Sequence, residues 1–223
     1  MAVGSTPRDS GNIPLGCVLV PGDATPQALK GGKEYTDSQG NISAPVAMSP
    51  EDGSKATYSA AMQALVPVTG CTDLFTITGS ASKTVRVTKI GLVGTTITTP
   101  ITVEIQLIKR SSANLTGTSS APTNRTSYDS SNPAATATVL GYTANPGTLG
   151  TVVGIISAEK IVFTIPSTAT MLQGPDRWWK DFGTRPALAI VLRGIAEVLA
   201  INLVGTTLAT ACSCDAYVEW TEE

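Results

Sequence analysis

The chain contains no histidine. That removes the commonest general base and metal ligand together. Ser-His-Asp and Cys-His arrangements cannot be built. Carboxylates remain, and a pair of them suffices for glycoside hydrolysis. The candidates are Glu104, Glu159, Asp176, Asp181, Asp215 and Glu219. Glu104 and Glu219 occupy polar positions of alternating segments and read as solvent-facing. Asp176 and Asp181 flank Arg177-Trp178-Trp179-Lys180, which resembles a sugar-binding loop. The simpler and favoured reading is a loop anchored by tryptophan burial with two exposed acids. Adjacent tryptophans in an extended segment point opposite ways. One can plug the core while the other faces a partner, a sugar or a subunit interface; the alternative is that both cap one end of the fold.

Other patterns carry less chemistry. Ser80-Ala81-Ser82-Lys83 has the S-x-x-K spacing of some acyl enzymes, but it sits in a turn between two strands and its companion motifs are absent. Gly147, Gly150 and Gly154 lack the lysine of a phosphate loop and read as turns and strand edges. Asn41-Ile42-Ser43, Asn114-Leu115-Thr116 and Asn124-Arg125-Thr126 match the glycosylation pattern. Without a visible signal peptide they carry no weight. Cys212 and Cys214, two apart in a strand pattern, point to one face. Their spacing is wrong for a structural zinc site. Small buried thiols are the favoured reading of Cys17, Cys71, Cys212 and Cys214, with a disulfide of unassigned pairing as the alternative. No cofactor and no catalytic activity are expected.

The elements that must position these residues are strands. Ile101-Thr102-Val103-Glu104-Ile105-Gln106-Leu107 puts apolar and polar side chains on opposite faces, as do Phe75-Thr76-Ile77 and Val85-Arg86-Val87. Strands are predicted at 73–79, 84–93, 101–110, 136–142, 151–155, 159–165, 187–193, 197–204 and 212–221. Residues 55–65 suit a helix or a strand, with strand preferred. The segments 111–135 and 166–186 read as loops. The expected fold is all-β: an antiparallel jelly-roll-like β-sandwich at 69–223, preceded by an extended arm at 1–68. The arm is broken by six prolines from Pro7 to Pro50 and has too little apolar pattern for its own core. It is expected to tie down elsewhere through apolar anchors, Val18 and Leu19, with Tyr35 as a third.

Composition agrees with a binding or structural role. Charged residues make up 14% of 223, against roughly 25% in an ordinary globular protein. Such a surface suits a large assembly or a neutral secreted protein. The net charge of −2 and dispersed basic residues give nothing to attract nucleic acid. No apolar run is long enough for a transmembrane helix. No charged leader precedes an apolar stretch, so synthesis in the cytoplasm is expected.

Several strings carry a resemblance: Asp73-Leu74-Phe75-Thr76-Ile77-Thr78-Gly79 running on to Ile90, Val103-Glu104-Ile105-Gln106-Leu107-Ile108-Lys109-Arg110 to Asn114, Ser130-Ser131-Asn132-Pro133 to Val139, Asp181-Phe182-Gly183-Thr184-Arg185, and Val218-Glu219-Trp220-Thr221-Glu222. In this order they resemble uncharacterised virion proteins of tailed bacteriophages. The resemblance runs from the first body strand to the end and leaves out the arm. It implies a virion component with a β-sandwich body and supplies no catalytic residues. Arm plus body implies a capsid decoration, cement or head-spike protein. Its arm would bind the major capsid protein or tail and collar components, while its body forms a homo-oligomer, a trimer by preference. The alternative is a tail- or collar-associated receptor-binding protein that takes a host glycan on Trp178 and Trp179.

Overall fold

Period-two alternation turns most of the patterned segments into strands, and every ladder between them is antiparallel. The computed structural model describes residues 55–97, 99–123, 125–165, 177–183, 189–207 and 212–223 in full, and 17–18, 27–28, 35–36 and 42–43 by backbone pairing only. Among the described residues there is no helix. The chain divides into two units, Met1–Asp52 and Gly53–Glu223. In the first, β1 (Cys17–Val18) pairs with β2 (Gln27–Ala28), and β3 (Tyr35–Thr36) with β4 (Ile42–Ser43).

The second unit holds two six-stranded sheets. In the first sheet the order is β10 (Arg125–Ser127), β5 (Ala56–Leu65), β16 (Cys212–Glu222), β7 (Thr84–Thr96) and β13 (Arg177–Asp181). Strand β14 (Ile190–Arg193) continues the edge begun by β13, pairing with the earlier half of β7. In the second sheet the order is β12 (Val152–Phe163), β8 (Ile101–Arg110), β15 (Val198–Thr206), β6 (Cys71–Thr78), β11 (Thr138–Tyr142) and β9 (Ser119–Ser120). The steps β5 to β6, β6 to β7, β7 to β8, β14 to β15 and β15 to β16 each pass from one sheet to the other. That interleaving is the habit of jelly-roll-like sandwiches.

Four expectations change. Residues 56–65 form a strand flanked by β10 and β16, so this part of the expected arm belongs to the body, whose unit starts at Gly53. The two strands expected at 151–155 and 159–165 are one, kept continuous by register shifts between Val152 and Gly154 and between Ile155 and Ser157. The 111–135 segment supplies the edge strands β9 and β10. The Trp178-Trp179 segment is strand β13, not loop.

Inward-facing residues of both sheets make one core. The first sheet contributes Tyr58, Val85, Val87, Ile90, Leu92, Val218 and Trp220; the second contributes Phe75, Ile77, Val103, Ile105, Leu107, Phe163 and Ile201. Tyr58 and Trp220 stack with ring centroids 5.8 Å apart. Phe163 fits against Gly94, where any Cβ would lie 2.2 Å from the ring. Cys71, Cys212 and Cys214 are buried. Burial, then the nearby Asp73 charge, pushes the Cys71 thiol up to about 12, so it stays protonated and unreactive at neutral pH. Ser80 Oγ accepts the N–H groups of Ser82 and Lys83, which makes the S-x-x-K string a turn.

Two buried polar knots pin the sandwich. In the second sheet, Arg110 forks onto Asp73 with Nε–Oδ2 2.9 Å and Nη2–Oδ1 2.8 Å. Asn114 and Asn202 donate to the same carboxylate, and Arg110 Nη1 donates to the Gly150 carbonyl. In the first sheet, Glu222 accepts from the Thr136 and Ala137 N–H groups and from the Trp220 indole. Burial pushes the Glu222 carboxyl up, but bonds from Thr136, Ala137 and Trp220 outweigh it and hold it below the usual range. A depressed carboxyl contributes stability above its unfolded value of 4.5, and that contribution is lost as pH falls through the folded value. Melting temperature should therefore drop as pH is lowered below about 4.5. Glu222→Gln should flatten that slope and lower the melting temperature at pH 7. An unchanged slope would contradict the assignment.

Candidate functional site

Strand β13 runs along β7 in the register Trp178 opposite Leu92 and Trp179 opposite Gly91. Pleating sends the two indoles to opposite faces. Trp178 enters the core and is 1% exposed; Trp179 lies on the outer face and is 43% exposed. The expected interface role of Trp178 is thus corrected: its ring is out of a partner's reach. Its Nε1–H has no acceptor among the described residues. The Lys180 ammonium lies 5.9 Å from the Trp178 ring centre and pairs with Glu159 of β12, tying the edges of the two sheets together. Val18 and Tyr35 fall in β1 and β3 by backbone; their side chains, with Leu19 and Asp176, lie outside the described residues.

Trp179 belongs to a row that crosses the sheet. Gly91 stands opposite both Trp179 on β13 and Tyr217 on β16. With no side chain at Gly91, the indole packs close against the strand: a Cβ there would be 2.5 Å from Trp179 Cε3. Trp179 then meets Tyr217, centroids 5.6 Å apart at 58°. Beyond Tyr217, Tyr128 joins the row, its hydroxyl 2.8 Å from that of Tyr217. Both tyrosine hydroxyls lie 2.9 Å from Glu219 Oε2. Burial first, then the bonds to Tyr128 and Glu219, push the Tyr217 hydroxyl far above its ordinary value, so it stays a neutral donor. Lys89 sits between Asp181 at 3.8 Å and Glu219 at 3.9 Å. On the other flank Asp215 accepts the Ala64 N–H. A shallow depression of about 180 Å³ lies beside Trp179 and Tyr217, with Ala61, Gln63 and Asp215 also lining it.

A general acid needs a carboxyl raised toward neutrality. Elsewhere among the described residues the carboxyls that shift go down: Glu159 through Lys180, Asp129 through Ser131, Glu223 through Lys55 and Arg86, and Glu222 as described. Among the described residues no group of carboxylates and thiols has metal-binding geometry.

No protein-family model, curated protein or solved structure matches this chain. The site therefore rests on its own geometry.

A second surface lies at the edge of the other sheet. Among the described residues β12 pairs only with β8. Its first half is apolar on both faces yet exposed: Val152, Val153, Ile155 and Ile156, with Val153 at 61%. Leu149 and Leu115 extend the patch. Edge strands are normally blunted by charge or proline; no charged residue and no proline falls between Gly147 and Ala158. Sequence reasoning found strand pattern here but missed its edge position. The signal was Val152-Val153-Gly154-Ile155-Ile156, apolar residues without alternation and interrupted only by a glycine. Tyr128, Tyr217 and Gly91 were also missed, because the first two lie 89 residues apart and meet only through the fold.

Proposed function

We propose that the protein is a structural component of a tailed-bacteriophage virion that works by binding rather than by turnover. Residues 1–52 attach it to the major capsid protein or to tail and collar components. The β body associates with further copies of itself, in a trimer by preference. The decoration, cement or head-spike role is the first reading; a tail or collar position is the second. Its place of action is the assembled particle, after synthesis in the host cytoplasm.

The observation that carries this reading is the uncharged apolar edge of β12. An exposed strand of this kind is a template for another chain. Its lack of charge lets identical copies meet without repulsion. The low charge of the whole chain and the virion-protein resemblance of the body strings support it further.

Three experiments test it. Deleting residues 1–52 should leave a folded body that no longer enters particles; a cut at 65 would remove β5 from the interior of its sheet. Normal incorporation of the shorter chain would refute the attachment role. Counting copies by mass spectrometry of purified particles separates hundreds over the head from a handful at the tail. Changing Val153 and Ile155 together to Lys should weaken self-association by about 3 kcal/mol or more, over a hundredfold in Kd. Light scattering coupled to size exclusion reads this directly. A wild-type monomer at micromolar concentration would sink the β12 interface.

A further inference from the structure

We infer that the outer face of the first sheet is a carbohydrate-binding platform for a neutral polysaccharide chain, with Trp179 as its stacking centre. This proposal does not depend on the virion reading, because it is measured on the purified protein.

Three features carry it. The first is the seat of the indole. Gly91 leaves room for the Trp179 ring to pack against the strand while the residue stays 43% exposed. An aromatic face is electron-rich and attracts the polarised C–H bonds on one side of a pyranose ring. The second is the row. Trp179 on β13, Tyr217 on β16 and Tyr128 just after β10 reach across this sheet, whose strands are spaced about 4.8 Å apart. That length takes several sugar rings rather than one. The third is the hydrogen-bonding rim. Glu219 carries two hydroxyls on one carboxylate oxygen, and Lys89 reaches both Glu219 and Asp181. Sugar hydroxyls both donate and accept, so they can join such a rim.

The same rim sets the charge of the ligand. Asp181, Glu219 and Asp215 surround the row, and Lys89 is already shared between two of them. An anionic polymer would meet carboxylates; a neutral one meets acceptors. A protein partner is disfavoured by the narrowness of the aromatic row and its polar margins, since interface centres are broad and depleted in charge.

The test is native electrophoresis of the full chain through gels containing dextran, laminarin, hydroxyethylcellulose or dextran sulfate. Trp fluorescence is titrated in parallel with maltohexaose, laminarihexaose and cellohexaose. Wild-type protein should be retarded by at least one of the three neutral polymers and not by dextran sulfate. Trp179→Ala should weaken binding by roughly tenfold or more, while Trp179→Phe keeps part of it. Gly91→Val should weaken binding with Trp179 still present, because the new side chain lifts the indole off the strand. Circular dichroism and melting temperature verify that each variant is folded; a Gly91→Val protein that does not fold leaves the decision to Trp179→Ala. Absence of retardation in every neutral gel would overturn the proposal. Equal retardation of Trp179→Ala, or retardation by dextran sulfate alone, would overturn it as well.

Discussion

Replacing Arg110 with Ala is expected to cost about 3–5 kcal/mol of folding stability, read by chemical denaturation at pH 7. The reason is what the change leaves behind. Asp73 and Arg110 have side chains 0% and 2% exposed. Without the guanidinium the Asp73 carboxylate keeps only the amides of Asn114 and Asn202 to offset its burial. The Gly150 carbonyl loses its donor at the same time. Lysine will not substitute, because a single ammonium cannot reproduce the two-pronged contact with both carboxylate oxygens. The pair behaves differently when both members go. Asp73→Leu with Arg110→Met should be less damaging than Arg110→Ala alone, since matched apolar residues leave no stranded charge. A loss below about 1 kcal/mol for Arg110→Ala would show that water reaches the pocket and that the pair is not buried as described.

Trp220→Ala should be comparably severe, at about 3–5 kcal/mol. The ring is fully buried, stacks on Tyr58 and fills the core side of β16. Its removal opens a cavity between two strands that cannot close independently, because β16 is paired on both sides. It also takes one donor from Glu222. Trp220→Phe should recover much of the loss while leaving that bond unmade. The Arg110 and Trp220 knots lie in different sheets and share no partner, so the two losses should add. A clear shortfall from additivity in the double variant would mean that one change already disrupts both sheets.

The strands with strict alternation were legible because a half-buried strand writes its environment into every second residue; Ile101–Arg110 is the clearest case. Strand β13 was not, since Arg177, Lys180 and Asp181 give a short segment the polarity of a loop. Only pairing with β7 makes it a strand. Adjacency left open whether Trp178 and Trp179 point apart or both cap one end; pairing in β13 sends them to opposite faces, and which one is buried depends on which face β7 presents. Strand β12 read as two because its register shifts break the period that marks a single strand. The Asp73–Arg110 knot left no local trace. A lone acid and a lone base separated by 37 residues look like two surface charges until the fold brings them together. The aromatic row was hidden for the same reason, and its quietest member, Gly91, contributes by having no side chain.

The position of β16 has a bearing on how the molecule comes to be folded. Before residues 212–222 are synthesised, β5 has among the described residues only β10 to pair with, and β7 only β13 and β14. These are two separate ribbons, each with an unsatisfied edge. The last strand of the sequence is the joint between them: Glu222 lies opposite Ala56 on one side and Val85 on the other. Pairing partners so far apart along the chain make for slow folding. Until that strand arrives, the nascent chain exposes the inner faces of both ribbons. The protein should therefore depend on chaperones during translation more heavily than a sandwich built of successive hairpins.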